Sequence, residues 1–110
     1  MRILLDECVD ALVRHELPGH DVQTVAYAGW AGIKNGKLLR LVADCRQYDV
    51  FLTMDKNLPL QQQLQGLPYA IVVLRATSNK IAVVRPLLPE FLRRLPEFQP
   101  GRAYVLNAPA

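Results

Sequence analysis

The sequence has few of the features that mark secreted, disordered or membrane-spanning chains. Its 110 residues include only two cysteines, Cys8 and Cys45, which excludes a disulfide framework and fits a reducing compartment. No apolar run approaches the roughly 20 residues that a bilayer-spanning helix needs. The acidic pair Asp6 and Glu7 comes too early for a signal peptide. With 51% hydrophobic and 21% charged residues, the chain is predicted to fold as one cytoplasmic domain without membrane association.

Acidic residues are scarce in the second half of the chain. Residues 56–110 hold seven Lys or Arg and only two acids, Glu90 and Glu97, so their net charge is +5. Residues 1–55 hold six Lys or Arg and eight acids, a net charge of −2. This asymmetry suggests an acidic site on one part of the molecule and a basic surface that faces nucleic acid on another.

Strand-like and helix-like segments alternate along the chain. Short apolar or β-branched runs predict five strands, over residues 2–5, 21–25, 49–53, 69–74 and 103–106. Helical spacing predicts helices over residues 9–17, 35–45, 58–64 and 78–95. Such alternation is typical of a single α/β domain with a mostly parallel sheet and helices on both faces. The last few residues are predicted to be a loose tail.

Particular residues are expected to begin or interrupt these helices. Asn35 and Asn57 are predicted to cap the second and third helices, and Leu60 is placed on the apolar face of the third. Pro86 and Pro89 are expected to kink or divide the last helix, because proline lacks the backbone donor that a helix interior requires.

Carboxylates follow two of the predicted strands. Asp6 and Glu7 come directly after the first strand, and Asp55 follows the third. If the strand order is 2-1-3-4-5, the first and third strands are neighbours and Asp6 and Asp55 converge at the switch point where α/β sheets bind ligands. Clustered carboxylates favour a hard cation such as Mg²⁺ or Mn²⁺, which engages phosphate oxygens.

The same acids have a purely structural interpretation. An aspartate between a strand and a helix is often an N-cap, which would account for Asp6 and Asp55. Glu7 would then be an acid favoured by the positive end of a helix dipole. The two interpretations differ in whether the carboxylates of Asp6 and Asp55 lie within reach of one shared cation.

Several segments resemble a known bacterial family. Residues 3–7 (ILLDE), 19–22 (GHDV) and 51–58 (FLTMDKNL) resemble, in order and spacing, small PIN-like domains related to VapC-type toxin ribonucleases. Residues 67–79 extend the similarity to roughly the first 80 residues. The family resemblance implies a three-layer αβα sandwich and Mg²⁺- or Mn²⁺-dependent hydrolysis of RNA phosphodiesters. It also implies a cognate antitoxin as partner.

The resemblance assigns roles to individual residues. Asp6 matches the first acid of the family, Glu7 its acidic neighbour, and Asp55 the acid after the third strand, so Asp6 and Asp55 would hold the metal with Glu7 assisting. Asn35 and Asn57 stand where many relatives have acids. An amide can bind a cation or position a water, but it adds no charge and cannot act as a general base near neutral pH. The resemblance therefore leaves open a degenerate module that binds RNA or a protein without cutting.

A second resemblance is to response-regulator receivers. Receivers place an acidic pair after the first strand and a phosphoacceptor aspartate after the third, which here would be Asp55. The segment 55–59 (DKNLP) also fits their pattern. Receivers need a lysine after the fifth strand, however, and residues 104–109 contain none.

Basic and aromatic residues near the predicted site are candidates for RNA contacts. Lys56, Arg75 and Lys80 are predicted to lie at the same edge of the sheet as the acids and to contact phosphates. Tyr27 and Trp30, in the loop before the second helix, either stack on an unpaired base or pack against the protein.

Overall fold

The protein contains one five-stranded sheet in a computed structural model that describes residues 1–108. The strands are β1 (Arg2–Leu5), β2 (Asp21–Thr24), β3 (Val50–Thr53), β4 (Ala70–Arg75) and β5 (Ala103–Asn107). Their order is β2-β1-β3-β4-β5, and every neighbouring pair is parallel. This confirms the predicted α/β fold and the strand order that brings β1 beside β3. The final two residues of the predicted tail lie outside the described range.

Short helices connect the strands. The α-helices are α1 (Asn35–Cys45), α2 (Leu58–Gln61), α3 (Ile81–Val84) and α4 (Leu88–Arg94). Three 3₁₀ helices accompany them, at Ala11–Glu16, Arg85–Leu87 and Leu95–Glu97. No helix within residues 1–108 has the length and apolar content to cross a membrane.

The sheet carries a hydrophobic core on each face. Because side chains alternate along a strand, Leu4 points to one face while Ile3 and Leu5 point to the other. The core that contains Leu4 packs against α1 and α2. The core that contains Ile3 and Leu5 packs against the first 3₁₀ helix, α3 and α4. Residues 70–74 of β4 are buried, as expected for a central strand covered on both sides. The result is a three-layer sandwich.

The predicted helix boundaries are partly correct. Asn35 is the first residue of α1 rather than its cap, a position that Lys34 takes. Asn57 precedes α2, but its side chain makes no capping hydrogen bond. Leu60 is 83% exposed, because α2 ends within one turn, where extended Gln62 follows it. The last predicted helix is divided into α3, 3₁₀ and α4 segments.

Two prolines account for that division. Pro86 lies in the 3₁₀ segment Arg85–Leu87 and Pro89 in the first turn of α4. In both places the missing backbone donor is tolerated, since the first residues of a helical turn have no partner inside it. The predicted interruption by these residues is confirmed.

The predicted first helix is a 3₁₀ helix. It begins after Asp10, whose Oδ1 accepts a hydrogen bond from the Leu12 amide at 2.9 Å. The chain leaves it through Gly19, whose φ of +83° is readily available only to glycine. This short connection returns the chain beside β1, so that β2 pairs with it in parallel.

Strand register brings the ends of β1 and β3 to one edge. Leu5 pairs with Leu52, and Thr53 pairs with Val73 of β4. The Asp6 amide also donates to the Leu52 carbonyl at 2.9 Å. Residues that follow β1 and β3 therefore emerge side by side, at the switch point of the sheet.

Candidate functional site

Asp6 is a nearly buried carboxylate at the end of β1. Only 9% of the residue is exposed. Its Oδ1 accepts a hydrogen bond from the Glu7 amide at 2.8 Å, and its Oδ2 accepts one from the Thr53 hydroxyl at 2.7 Å. The Cys8 thiol donates a longer contact to Oδ2 at 3.6 Å. These donors occupy most of the acceptor positions of a carboxylate that water reaches poorly.

Thr53, the last residue of β3, links the two predicted acids. While its hydroxyl donates to Asp6, its Oγ1 accepts a hydrogen bond from the Asp55 amide at 3.1 Å. The side chain is fully buried. Sequence reasoning did not select Thr53; the available signal was a hydroxyl residue ending an otherwise apolar strand, two positions before an acid.

Asp55 lies against the start of α1. Its Oδ2 accepts a hydrogen bond from the Asn35 amide nitrogen at 3.3 Å, and its Oδ1 accepts one from the Asn57 backbone amide at 3.0 Å. The structure thus brings Asn35 to the candidate site, whereas Asn57 contributes its backbone and leaves its side chain exposed.

Glu7 is exposed and holds the loop before α1. Its Oε1 accepts a hydrogen bond of 2.7 Å from the backbone amide of Gly32, whose φ is +79°. It borders a cleft of about 320 Å³ that also includes Asp6, Thr24 and Val25. The carboxylate of Glu7 therefore holds the loop before α1 in place through the Gly32 amide.

Asp6 and Asp55 retain free acceptor positions of the kind that a divalent cation takes. An ionised carboxylate offers about four lone-pair sites, of which Asp6 uses three and Asp55 two in protein contacts. Within residues 1–108, neither acid forms an ion pair with Lys, Arg or His. No group of three His, Cys, Asp or Glu with metal-ligand geometry occurs in that range. A cation here would have two carboxylates, completed by amide oxygens or water.

Cys8 packs beside the two acids as a protonated thiol. Its Sγ lies 3.4 Å from the Thr53 hydroxyl and accepts a hydrogen bond from the Met54 amide at 3.3 Å. Burial raises the pKa of the Cys8 thiol, with the charge of Asp6 acting in the same direction. The raised pKa favours the protonated thiol, which is the weaker nucleophile, and its contacts are those of a packing group.

The predicted basic contacts lie on several segments around this edge. Lys56 is exposed directly after Asp55, and Arg75 is exposed at the end of β4. Arg75 borders a cleft of about 380 Å³ that also includes Thr77 and Asn107. Lys80 precedes α3. Its neighbour Asn79 donates to the Cys8 carbonyl at 3.4 Å, which places this segment beside the end of β1.

The two candidate stacking residues differ in environment. Tyr27 is 76% exposed, so its ring is open to a ligand. Trp30 is half-buried and packs edge-on against Tyr48, with 6.4 Å between ring centroids. Base stacking remains a prediction for Tyr27, while the contact seen for Trp30 is with the protein.

No protein-family model, curated protein or solved structure matches this chain.

Proposed function

We propose that the protein is a PIN-like, metal-dependent endoribonuclease of the toxin–antitoxin type. The observation that supports this most directly is the position of Asp6 and Asp55 at the ends of adjacent parallel strands, joined through the Thr53 hydroxyl. Ligands of α/β sheets bind at this place. Two carboxylates without an ion-pair partner in the described range provide the negative charge that a hard cation requires.

The side chains would divide the work of phosphodiester hydrolysis. A bound Mg²⁺ or Mn²⁺ would polarise the phosphoryl group and the attacking water. Asp6 and Asp55 would hold that cation, with Thr53 and Asn35 fixing the orientation of the two carboxylates. Asn35 and Asn57 would serve as secondary ligands or water-positioning groups. Lys56, next to Asp55, would contact the phosphate.

The small number of carboxylates at the site limits the rate expected for the proposed ribonuclease. With Asn35 rather than an acid beside Asp55, the site offers one cation position formed by two carboxylates. A two-metal arrangement would need further charged ligands. A slow or narrowly selective ribonuclease fits this donor set better than a fast one.

Cleavage of a mixed RNA pool with Mg²⁺ or Mn²⁺ tests the proposal. We expect wild-type protein to cut the pool, EDTA to stop cleavage, and Asp6→Asn and Asp55→Asn to reduce it by at least about a hundredfold. Glu97→Gln is the control, because it removes one negative charge from an exposed position that belongs to none of these contacts. Equal cleavage by all four proteins would reject the nuclease.

A second candidate is a PIN-like module that binds RNA or a cognate antitoxin without cutting. The Asn35 amide that occupies Asp55 Oδ2 favours it, since an uncharged group satisfies the carboxylate where a further acid would strengthen a metal site. This candidate predicts RNA or antitoxin binding that persists in EDTA and no cleavage under any metal.

A third candidate is a receiver-like phosphoacceptor. Its supporting observation is the strand order, which doubly wound receiver folds share, with Asp55 after β3. In that reaction an Asp55 oxygen would form a bond to phosphorus while acetate leaves acetyl phosphate. The lysine that a receiver needs after its fifth strand is missing here, because β5 ends at Asn107 and Ala108 follows it. Failure of wild-type protein to gain phosphate at Asp55 would remove this candidate.

A further inference from the structure

A polar groove lies beside the candidate site, on the α1 face of the sheet. It has a volume of about 290 Å³. Gly36 and Arg40 of α1 form one side of the groove, and Gln62, Gln63 and Gln65, from the segment after α2, form the other. None of the predicted site residues lines it.

The groove begins next to Asp55. Asn35, which donates to Asp55 Oδ2 at 3.3 Å, directly precedes Gly36 in α1. The two sides also approach closely at this end, because a Cβ on Gly36 would lie 3.3 Å from Gln62 Oε1. A chain bound in the groove would therefore lie along α1, with the Gly36 end of the groove nearest to Asp55.

Unpaired positive charge continues along the same helix. Lys37 and Arg40 are exposed and lie three residues apart, so they occupy one face of α1. They border a neighbouring depression of about 430 Å³, which Leu41 and one acid, Asp44, also line. In the part of the chain that the structure describes, neither forms an ion pair. This positive surface belongs to the half of the chain whose net charge is negative.

The glutamines provide a different kind of group. Gln62 is half-buried, while Gln63 and Gln65 are exposed. Each side-chain amide offers two donors and one acceptor oxygen, the pattern that pairs with the edges of unpaired bases. A groove of this volume has room for a single base and not for a duplex.

We propose that this groove binds single-stranded RNA, with Lys37 and Arg40 contacting phosphates and Gln62 and Gln63 contacting base edges. The inference rests on the proposed function for the chemical class of the ligand. It assigns the strand a path over α1, in addition to the predicted contacts at Lys56, Arg75 and Lys80.

Fluorescence anisotropy in EDTA tests the phosphate contacts without cleavage. The probe is a 5′-fluorescein RNA of about 12 nucleotides with mixed sequence. We expect Lys37→Gln/Arg40→Gln to weaken binding about tenfold and to reduce the slope of log K against log salt by about 1.4. The matched control is Arg46→Gln/Arg102→Gln, which removes the same charge from exposed positions outside the groove. Equal weakening by both pairs would overturn the proposal.

Homopolymer probes test the base contacts. We expect Gln62→Ala/Gln63→Ala to narrow the differences in affinity among poly(A), poly(C) and poly(U) while leaving the salt slope unchanged. Unaltered differences would contradict the assignment of these amides.

The outcomes separate this inference from the nuclease itself. Groove-dependent RNA binding without metal-dependent cleavage would reject the nuclease and keep the groove. Cleavage that requires Asp6 and Asp55 but does not respond to the Lys37/Arg40 pair would keep the nuclease and reject the groove.

Discussion

The Thr53 hydroxyl donates a 2.7 Å hydrogen bond to Asp6 Oδ2 across the junction of β3 and β1. Both residues are buried, and 46 residues of chain separate them. Thr53 Oγ1 also accepts a hydrogen bond from the Asp55 amide, so the Thr53 side chain sets the relative positions of both predicted metal-binding acids. One hydroxyl group therefore contacts both parts of the candidate site.

Replacing Thr53 by valine should destabilise the protein by about 1–3 kcal/mol. Valine has nearly the same shape, but it leaves the buried Asp6 Oδ2 and the Asp55 amide without their shared partner. Urea unfolding measures the loss. Thr53→Ser keeps the hydroxyl and is expected to lose much less. Equal stability of the valine variant and wild type would show that the hydrogen bond contributes little.

Mg²⁺ should raise the thermal stability of the native protein. A cation present at ten times its Kd stabilises the folded state by about 1.4 kcal/mol, provided that the unfolded chain does not bind it. Thermal unfolding with and without MgCl₂ should show this shift for wild type and for Glu97→Gln. The shift should vanish in Asp6→Asn and Asp55→Asn. A shift that survives both substitutions would place the cation elsewhere.

Much of the fold follows directly from the sequence pattern. Apolar or β-branched runs identify all five strands. The runs are continuous in β1, β3 and β4, because burial on both faces of a parallel sheet requires hydrophobic segments, whereas the edge strands β2 and β5 are partly exposed. The exposure of Leu60 could not be predicted from the sequence pattern, because helical spacing does not show that α2 ends after one turn, before Gln62. The 3₁₀ form of Ala11–Glu16 likewise depends on the short connection between β1 and β2.

The acids of the candidate site could be predicted from the sequence. The contacts that bring them together could be predicted less well. Asp6 and Asp55 follow strands, which a sequence shows. Their adjacency requires the order β2-β1-β3, which depends on tertiary packing. The contact of Asn35 with Asp55 joins positions 20 residues apart across a helix start, and no local periodicity reports it. The hydrogen bond from the Gly32 amide to Glu7 is equally nonlocal.

Removing the Glu7 side chain should loosen the loop before α1. Glu7→Ala deletes the acceptor for the Gly32 amide, so hydrogen exchange at Gly32 should accelerate about tenfold. Glu7→Gln keeps an acceptor oxygen and should retain most of the protection. Asp10→Ala is the control, because it should affect the Leu12 amide instead. If the glutamine variant is protected but cuts RNA more slowly, the charge of Glu7 has a function beyond the loop.

Tyr69 should make the protein less stable in alkali. Its buried hydroxyl donates to the Leu39 carbonyl at 2.8 Å, and burial raises the pKa of Tyr69 well above its ordinary value. As pH rises through about 10, the unfolded chain releases this proton while the folded protein keeps it, so the free energy of unfolding falls. Urea unfolding at neutral pH and above pH 10 should show a smaller fall for Tyr69→Phe. Tyr27→Phe, at an exposed position, should behave as wild type; a full alkaline loss in Tyr69→Phe would assign the effect to other groups.

Replacing Asn35 by aspartate should exchange stability for metal affinity. The amide nitrogen of Asn35 lies 3.3 Å from Asp55 Oδ2, so an aspartate there removes a hydrogen bond and places two like charges together. Without a cation, we expect a loss of about 1–3 kcal/mol in the free energy of unfolding. Because a third carboxylate strengthens the cation site, Mg²⁺ should stabilise Asn35→Asp more than wild type. Asn35→Ala loses the same hydrogen bond without added charge, so an equal response of the two variants to Mg²⁺ would argue against a cation between these residues.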